Sequence, residues 1–332
     1  MLMNNSVRKR DHGFDNMKLF LIVLVVSGHI LEEMSLTGSL GIIRACIYSF
    51  HMPLFVFVSG YFSKSVSSKK ERVFTNYLIP FFIFNTAYAL IISDGFFVNI
   101  FLSVYAFWYF LSLFFWSISI DYIGRFKPLI FVSVLLGLYC GCFDSIGRTL
   151  SLSRTICFFP FFILGYLINK EGISKLRSIN KAVPVLGVAF SLFITAFANY
   201  RGIIPVKMYE MLQSYQKTGV DKLSGVLERL FIYSVAVIMI VCLIALIPDK
   251  EYKITKIGTR TACIYIFSSF IIKLGFKYIL SVYCTFIFKN TAIEIISAVI
   301  LTFAVLLITG NKYINKFYNQ IIKGIEKLFI RT

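Results

Sequence analysis

Apolar runs of about 15 to 24 residues recur along the whole chain, and short polar or charged stretches separate them. A helix rising 1.5 Å per residue needs about 20 apolar residues to cross the roughly 30 Å hydrocarbon layer of a bilayer. On that measure the pattern predicts ten membrane spans, at 17–34, 41–62, 75–93, 96–119, 128–144, 155–169, 182–199, 228–247, 261–282 and 291–310. The run at 96–119 is crowded with aromatics and the one at 155–169 is short, so the stretch between 120 and 160 fits the pattern least well. No low-complexity tract interrupts the series, and no repeat suggests the inverted halves of a secondary transporter. The expectation is an all-α, polytopic transmembrane helical bundle of about ten spans, one domain over residues 1–332 with short tails at 1–16 and 311–332.

Composition closes off the soluble alternative, because 58% of the residues are hydrophobic, 17% aromatic and only 15% charged. A net charge of +18 would suggest nucleic acid in a soluble protein, but here the 34 Lys and Arg residues sit in the gaps between apolar runs. With the N-terminus inside, 23 of those 34 fall on the inner side, which places both termini in the cytoplasm and the chain in the cell membrane as a multi-pass protein. Nucleic acid is then no partner, whereas membrane lipids are. The first apolar run follows basic residues as in a signal peptide, yet no small-residue cleavage site follows it, so it is expected to stay in the protein. Seven cysteines without CxxC spacing, mostly inside apolar runs, indicate neither a zinc site nor a disulfide framework, and no metal is expected. The longest outer segment, about 200–227, carries Tyr200, Tyr209 and Tyr215 and could cover an outward-facing opening.

Polar groups inside hydrocarbon are costly, so each one marks a candidate site. In DNMKLFLIVLVVSGHILEE, Lys18 and His29 are eleven residues apart, which returns to within about 20° of one helical face with a rise of about 16 Å. A lone Lys18 reads as an interface lysine; an imidazole at position 29 in apolar company is harder to explain that way. His51, in SFHMPLFVFVSGYF, enters the second span at a similar depth and could share a cavity with His29, or could bond a carbonyl freed by Pro53. Arg72 precedes NYLIPFF on the inner face, where it could hold a phosphate or serve only as a positive-inside residue. Arg154 opens a span from the outer side, where charge statistics ask for no cation, and Trp108 and Tyr109 lie inside a span, as a pocket wall would. A phosphate-binding glycine loop, a dinucleotide fingerprint, HExxH and an Asp-rich sugar-nucleotide motif are all absent, whereas acyl transfer needs only a base, oxyanion stabilisers and an activated donor.

Several of these segments resemble one family. Lys18 and His29 resemble the basic-x10-His motif of the acyltransferase 3 family of integral membrane acyltransferases. FHMPLFVFVSGYF, KKERVFTNYLIPFF, FWYFLSLFFW, SRTICFFPFFILGY and IGTRTACIYIF are similar to later family segments, in the expected order and in the fucose 4-O-acetylase-like variant. The resemblance implies a sugar O-acetyltransferase with acetyl-CoA as co-substrate, no permanently bound cofactor, and a polysaccharide or lipid-linked sugar as acceptor. It implies His29 as catalytic base and Lys18 as its basic partner toward the CoA side. Arg72, Arg154, Trp108, Tyr109, His51 and Tyr265 become candidates for binding CoA or substrate. Where the family often has histidine after the late Tyr-x-x, this chain has Ser268, so that role is missing or filled by another group. Direct transfer and an acetyl-histidine intermediate both remain open. A glycolipid or polysaccharide transporter would share the spans but would not need the Lys18 and His29 pairing, and an assembly partner would tolerate loss of His29.

Overall fold

The computed structural model describes residues 10–34, 38–66, 73–92, 101–280, 284 and 290–329. Within them all regular elements are helical apart from one isolated bridge, Leu102 to Thr149. Along the chain these are α1 (His12–Met34), α2 (Gly38–Tyr48), α3 (His51–Val66), α4 (Phe74–Ile92), α5 (Trp108–Ile123), α6 (Leu129–Cys140), α7 (Leu152–Leu167), α8 (Lys170–Arg177), α9 (Ala182–Tyr200), α10 (Lys222–Leu246), α11 (Thr261–Leu280), α12 (Thr291–Thr309) and α13 (Lys312–Phe329).

The apolar faces decide how they assemble. On α1 the side chains of Phe14, Met17, Leu21, Val25 and Ile30 recur at helical spacing and are buried, packed by α2, α3, α11 and α12. The α3–α7 pair is in close backbone contact. A Cβ on Gly60 would strike the Phe162 carbonyl, and one on Gly165 would strike the Phe57 carbonyl, so two glycines let the backbones touch. Lipid offers no hydrophobic contrast between helices, and such small-residue contacts are what holds membrane helices together.

Among the described residues, seven elements are long and apolar enough to cross a membrane: α1, the α2–α3 pair, α4, α9, α10, α11 and α12. The bent α7–α8 pair, turning by 94°, would be an eighth. The expected ten is therefore reached only in part, with α5 and α6 as shorter apolar helices beside these. The run predicted as 96–119 is interrupted, because residues 101–107 are irregular and α5 starts only at Trp108, with 16 residues. The run predicted as 128–144 yields the 12-residue α6, which stops where Gly141 accepts a hydrogen bond from the Tyr215 amide at 2.8 Å. Conversely α10 begins at Lys222, capped by Asp221 on the Leu223 and Ser224 amides, six residues before the predicted 228. Arg229, at the edge of the predicted span, thus lies two turns into that helix at 1% exposure, donating to the Gly137 carbonyl at 2.9 Å over the Tyr215 ring. Most of the expected tail 311–332 folds as α13.

Two ends of the bundle separate clearly. At one, Gly13 donates to Asp249, Asn16 bonds the Pro248 and Lys250 carbonyls, and Arg177 pairs with Asp11 at 2.9 Å. Arg260 donates there to the Gly310 carbonyl at 2.7 Å. Every one of these segments is expected on the inner side. The opposite end collects Glu32, Glu33, Arg44, Glu210 and Lys273.

Overpacking the α3–α7 crossing should unfold the protein. Gly165→Val is expected to cost at least about 1–3 kcal/mol and lower the unfolding temperature in detergent. Gly147→Ala, where a Cβ meets nothing within 4 Å, should leave that temperature unchanged.

Candidate active site

A cavity of about 330 Å³ opens at the end of the bundle that carries Glu32 and Glu210. Its walls come from separate stretches of sequence: His29 and Glu32 from α1, Tyr48 and His51 from the α2–α3 break, and Trp108 from α5. Arg154 comes from α7, Glu210 from the segment 201–221, and Tyr265 from α11. Residues 103–106 form one wall with irregular backbone. Such backbone is tolerated at membrane depth only where it is buried in protein or lines a cavity, and its polar groups must find partners. Asn85 bonds both the Leu102 carbonyl (3.1 Å) and the Val104 amide (2.8 Å), Tyr265 donates to the Ala106 carbonyl (2.6 Å), and Arg154 Nη1 donates to the Tyr105 carbonyl (3.4 Å). Tyr105 itself takes a positive φ of 50°, rare for a bulky residue.

His29 lies with its ring edge-on to Tyr105, centroids 4.6 Å apart, and its Nδ1 is buried without a protein partner among the described residues. The hydroxyls of Tyr88, Tyr105 and Tyr209, all in the cavity wall, are buried and unpartnered in the same way. His51 is different: its Nδ1 bonds the Ile47 carbonyl at 2.9 Å, across the break between α2 and α3. A carbonyl only accepts, so Nδ1 carries the hydrogen and Nε2 of the neutral ring is left as an acceptor. Arg154 is held by the Glu210 carbonyl on Nε (2.9 Å) and lies over the Trp108 ring at 5.0 Å, and Nη2 has no protein partner among the described residues.

Arg44 fixes the rim. At 1% exposure it pairs with Glu210 at 2.6 Å and stands 3.8 Å from Glu32, while Tyr48 donates to Glu32 at 3.3 Å. Burial raises the Glu210 carboxyl above its ordinary range, against the opposing pull of Arg44. The 201–221 segment is tied down further by Ser153 on the Met211 carbonyl (2.8 Å), Tyr215 on the Leu138 carbonyl (2.6 Å), and Ser214 on Asp144.

Of the residues singled out in the sequence, His29, His51, Trp108, Arg154 and Tyr265 therefore line one cavity. Tyr109 stands behind the wall, bonded to Ser59 at 2.6 Å and packed on Phe55. Lys18 is not in the cavity. Its eleven-residue spacing keeps it on the His29 side of α1 but about 16 Å along the axis, where it lies over the Phe62 ring at 4.4 Å and 4.0 Å from Asp15. Arg72 lies outside the described residues. Near the Lys18 end a second cavity of about 290 Å³ is lined by Arg10, His12, Asp15, Glu251, Lys256 and Arg260. Sequence reasoning missed Glu32, Arg44, Tyr105 and Glu210. Glu32 alone carried a signal, three residues after His29 and so on a neighbouring face of the same helix.

No solved structure matches the chain. A stretch of 70 residues is 39% identical to the nodulation protein NolL of Mesorhizobium japonicum, covering 20% of this chain and 19% of that protein. Over residues 11–310, nearly the full length, the sequence matches the profile of the acyltransferase domain of acyltransferase 3 proteins, and this multi-pass membrane protein belongs to that family.

Proposed function

We propose that this protein is an O-acyltransferase of the cell membrane that moves an acetyl group from acetyl-CoA to a sugar hydroxyl of a surface polysaccharide or its lipid-linked precursor. The observation that carries this reading is one cavity whose wall holds His29, Glu32, Arg154 and Glu210 together with Tyr88, Tyr105 and Tyr209, where His29 Nδ1 and the three tyrosine hydroxyls are buried with no partner among the described residues. A buried polar group without a partner costs about 1–3 kcal/mol, so four in one wall favour a ligand rich in hydroxyls that completes their bonds. Family membership supplies the acyl transfer.

In this reading His29 takes the proton of the acceptor hydroxyl as its oxygen attacks the thioester carbonyl. Arg154 Nη2 faces the oxyanion that develops on that carbonyl. The carbon–sulfur bond then breaks, and the leaving CoA thiolate takes the proton back from His29, giving free CoA and the sugar ester. Glu32 and Glu210, held by Arg44, accept from neighbouring sugar hydroxyls, and Tyr105 and Trp108 flank the ring. The CoA phosphates sit at the opposite end, near Lys18 and the second cavity's Arg10, Lys256 and Arg260.

The test is purified full-length protein in proteoliposomes, following free thiol release together with sugar acetylation. His29→Gln should lower kcat by about 10²–10⁴-fold, with KM for acetyl-CoA changed little. An unaltered kcat would sink the assignment. Tyr209→Phe gives the complementary outcome. Because that hydroxyl has no protein partner among the described residues, its loss should leave the unfolding temperature at or above wild type while lowering kcat/KM for the acceptor by about 2–10-fold.

A further inference from the structure

α13 divides into three sectors, and none of them takes part in the chemistry above. At 100° per residue, Lys312, Lys316, Lys323 and Lys327 fall within a stripe about 60° wide, and the apolar side chains fill an arc of about 180° opposite. Part of that arc packs on the bundle. Tyr318 is buried against Phe84 of α4, ring centroids 6.1 Å apart, and Ile314, Ile321, Ile322 and Ile325 are half-buried beside it. The rest packs only on one side, where Phe317 meets Phe267 with ring centroids 6.4 Å apart. Tyr313 and Phe317, between the buried face and the lysines, remain 67% and 55% exposed. The four lysines are exposed, and none pairs with a carboxylate among the described residues; Lys312 lies only over the neighbouring Tyr313 ring. One acid, Glu326, borders the stripe.

The position of the helix decides what those exposed sectors meet. α13 follows Gly310, whose carbonyl is held by Arg260 at the same end of the bundle as Asn16, Asp249 and the second cavity. That end carries the excess of basic residues between the spans. A helix with one side on protein, an aromatic edge open beside it and a lysine stripe beyond matches a helix lying in the plane of a bilayer surface. Its aromatics reach the acyl boundary and its ammonium groups reach the headgroups.

We propose that α13 is an in-plane helix that docks on anionic phospholipid headgroups of the leaflet at this end of the bundle. Charge complementarity selects the occupant, since four unpaired ammonium groups on one stripe fit phosphates that carry no compensating choline. Attraction near such a surface corresponds to about a fivefold gain per lysine. Because Tyr318 and Phe317 rest on Phe84 and Phe267, the docked helix also braces α4 and α11, which carry Tyr88 and Tyr265 into the cavity wall.

Native mass spectrometry of the full chain, released from micelles holding phosphatidylglycerol and phosphatidylcholine in equal amounts, tests this directly. Wild type should retain phosphatidylglycerol preferentially, and replacing all four lysines by glutamine should reduce that preference at least tenfold. Arginine at the four positions should preserve it, and glutamine at the exposed Lys170, Lys175, Lys250 and Lys253 of the same end should change it little. The proposal falls if the α13 glutamine variant keeps the preference, if the control variant loses it equally, or if the α13 changes convert a dimer to a monomer without altering bound lipid. Unfolding temperatures establish that each variant is folded, and should the glutamine variant not be, loss of preference in stepwise single and double substitutions decides.

Discussion

Buried backbone groups must be paired, and the cavity keeps its shape because residues 101–107, its irregular wall, meet that demand without being helical. Their amides and carbonyls are bonded by Asn85 from α4, Arg154 from α7 and Tyr265 from α11, with Leu150 donating to Phe101 at 2.8 Å. Each side chain does two things at once. It satisfies the irregular wall, and it draws its own helix toward a common space. Arg154 and Tyr265 line the cavity because the backbone they bond turns there, and the positive φ of Tyr105 sets its ring against His29.

Charge is arranged on the same principle of buried pairing. Arg44 is nearly inaccessible, yet two carboxylates share it, so the rim combines a fixed cation with acceptor oxygens still open to the cavity. Removing Arg44 would leave Glu210 buried without its ion-pair partner, which is far more costly than never having had the pair. The 201–221 segment is thereby bound to α2 and, through Arg154, to α7, covering the site with an ordered strap. A hydroxyl-rich acceptor suits such a rim, and a thioester donor suits the imidazole beneath it.

Much of this was legible because hydrocarbon penalises polarity. His29, His51 and Arg154 stood out as polar groups in or bordering apolar runs, Trp108 as an aromatic away from the span rim, and all four line the cavity with Tyr265. Helical periodicity also placed Lys18 on the His29 side, and the rise of about 16 Å over eleven residues already set it toward the other end of α1, outside the cavity. Arg44 and Glu210, 166 residues apart, looked like ordinary loop and span-edge charges, because nothing local marks a pair made by folding. The same limit explains the span count. Composition cannot show that the aromatic run near 100 is held open as a cavity wall or that α6 is cut short by a docking loop. Nor did hydropathy distinguish α13 from a solvated tail, since an in-plane helix is amphipathic without being apolar on average.

The central claim, that His29 in this cavity transfers acetyl groups to a glycan, is met most directly by mass spectrometry of surface glycan from cells carrying wild type, His29→Ala, or no copy of the gene, with membrane expression of the mutant verified. The account requires acetyl mass increments in the first and their loss in both others. Glycan that carries the same acetyl increments in all three would contradict it.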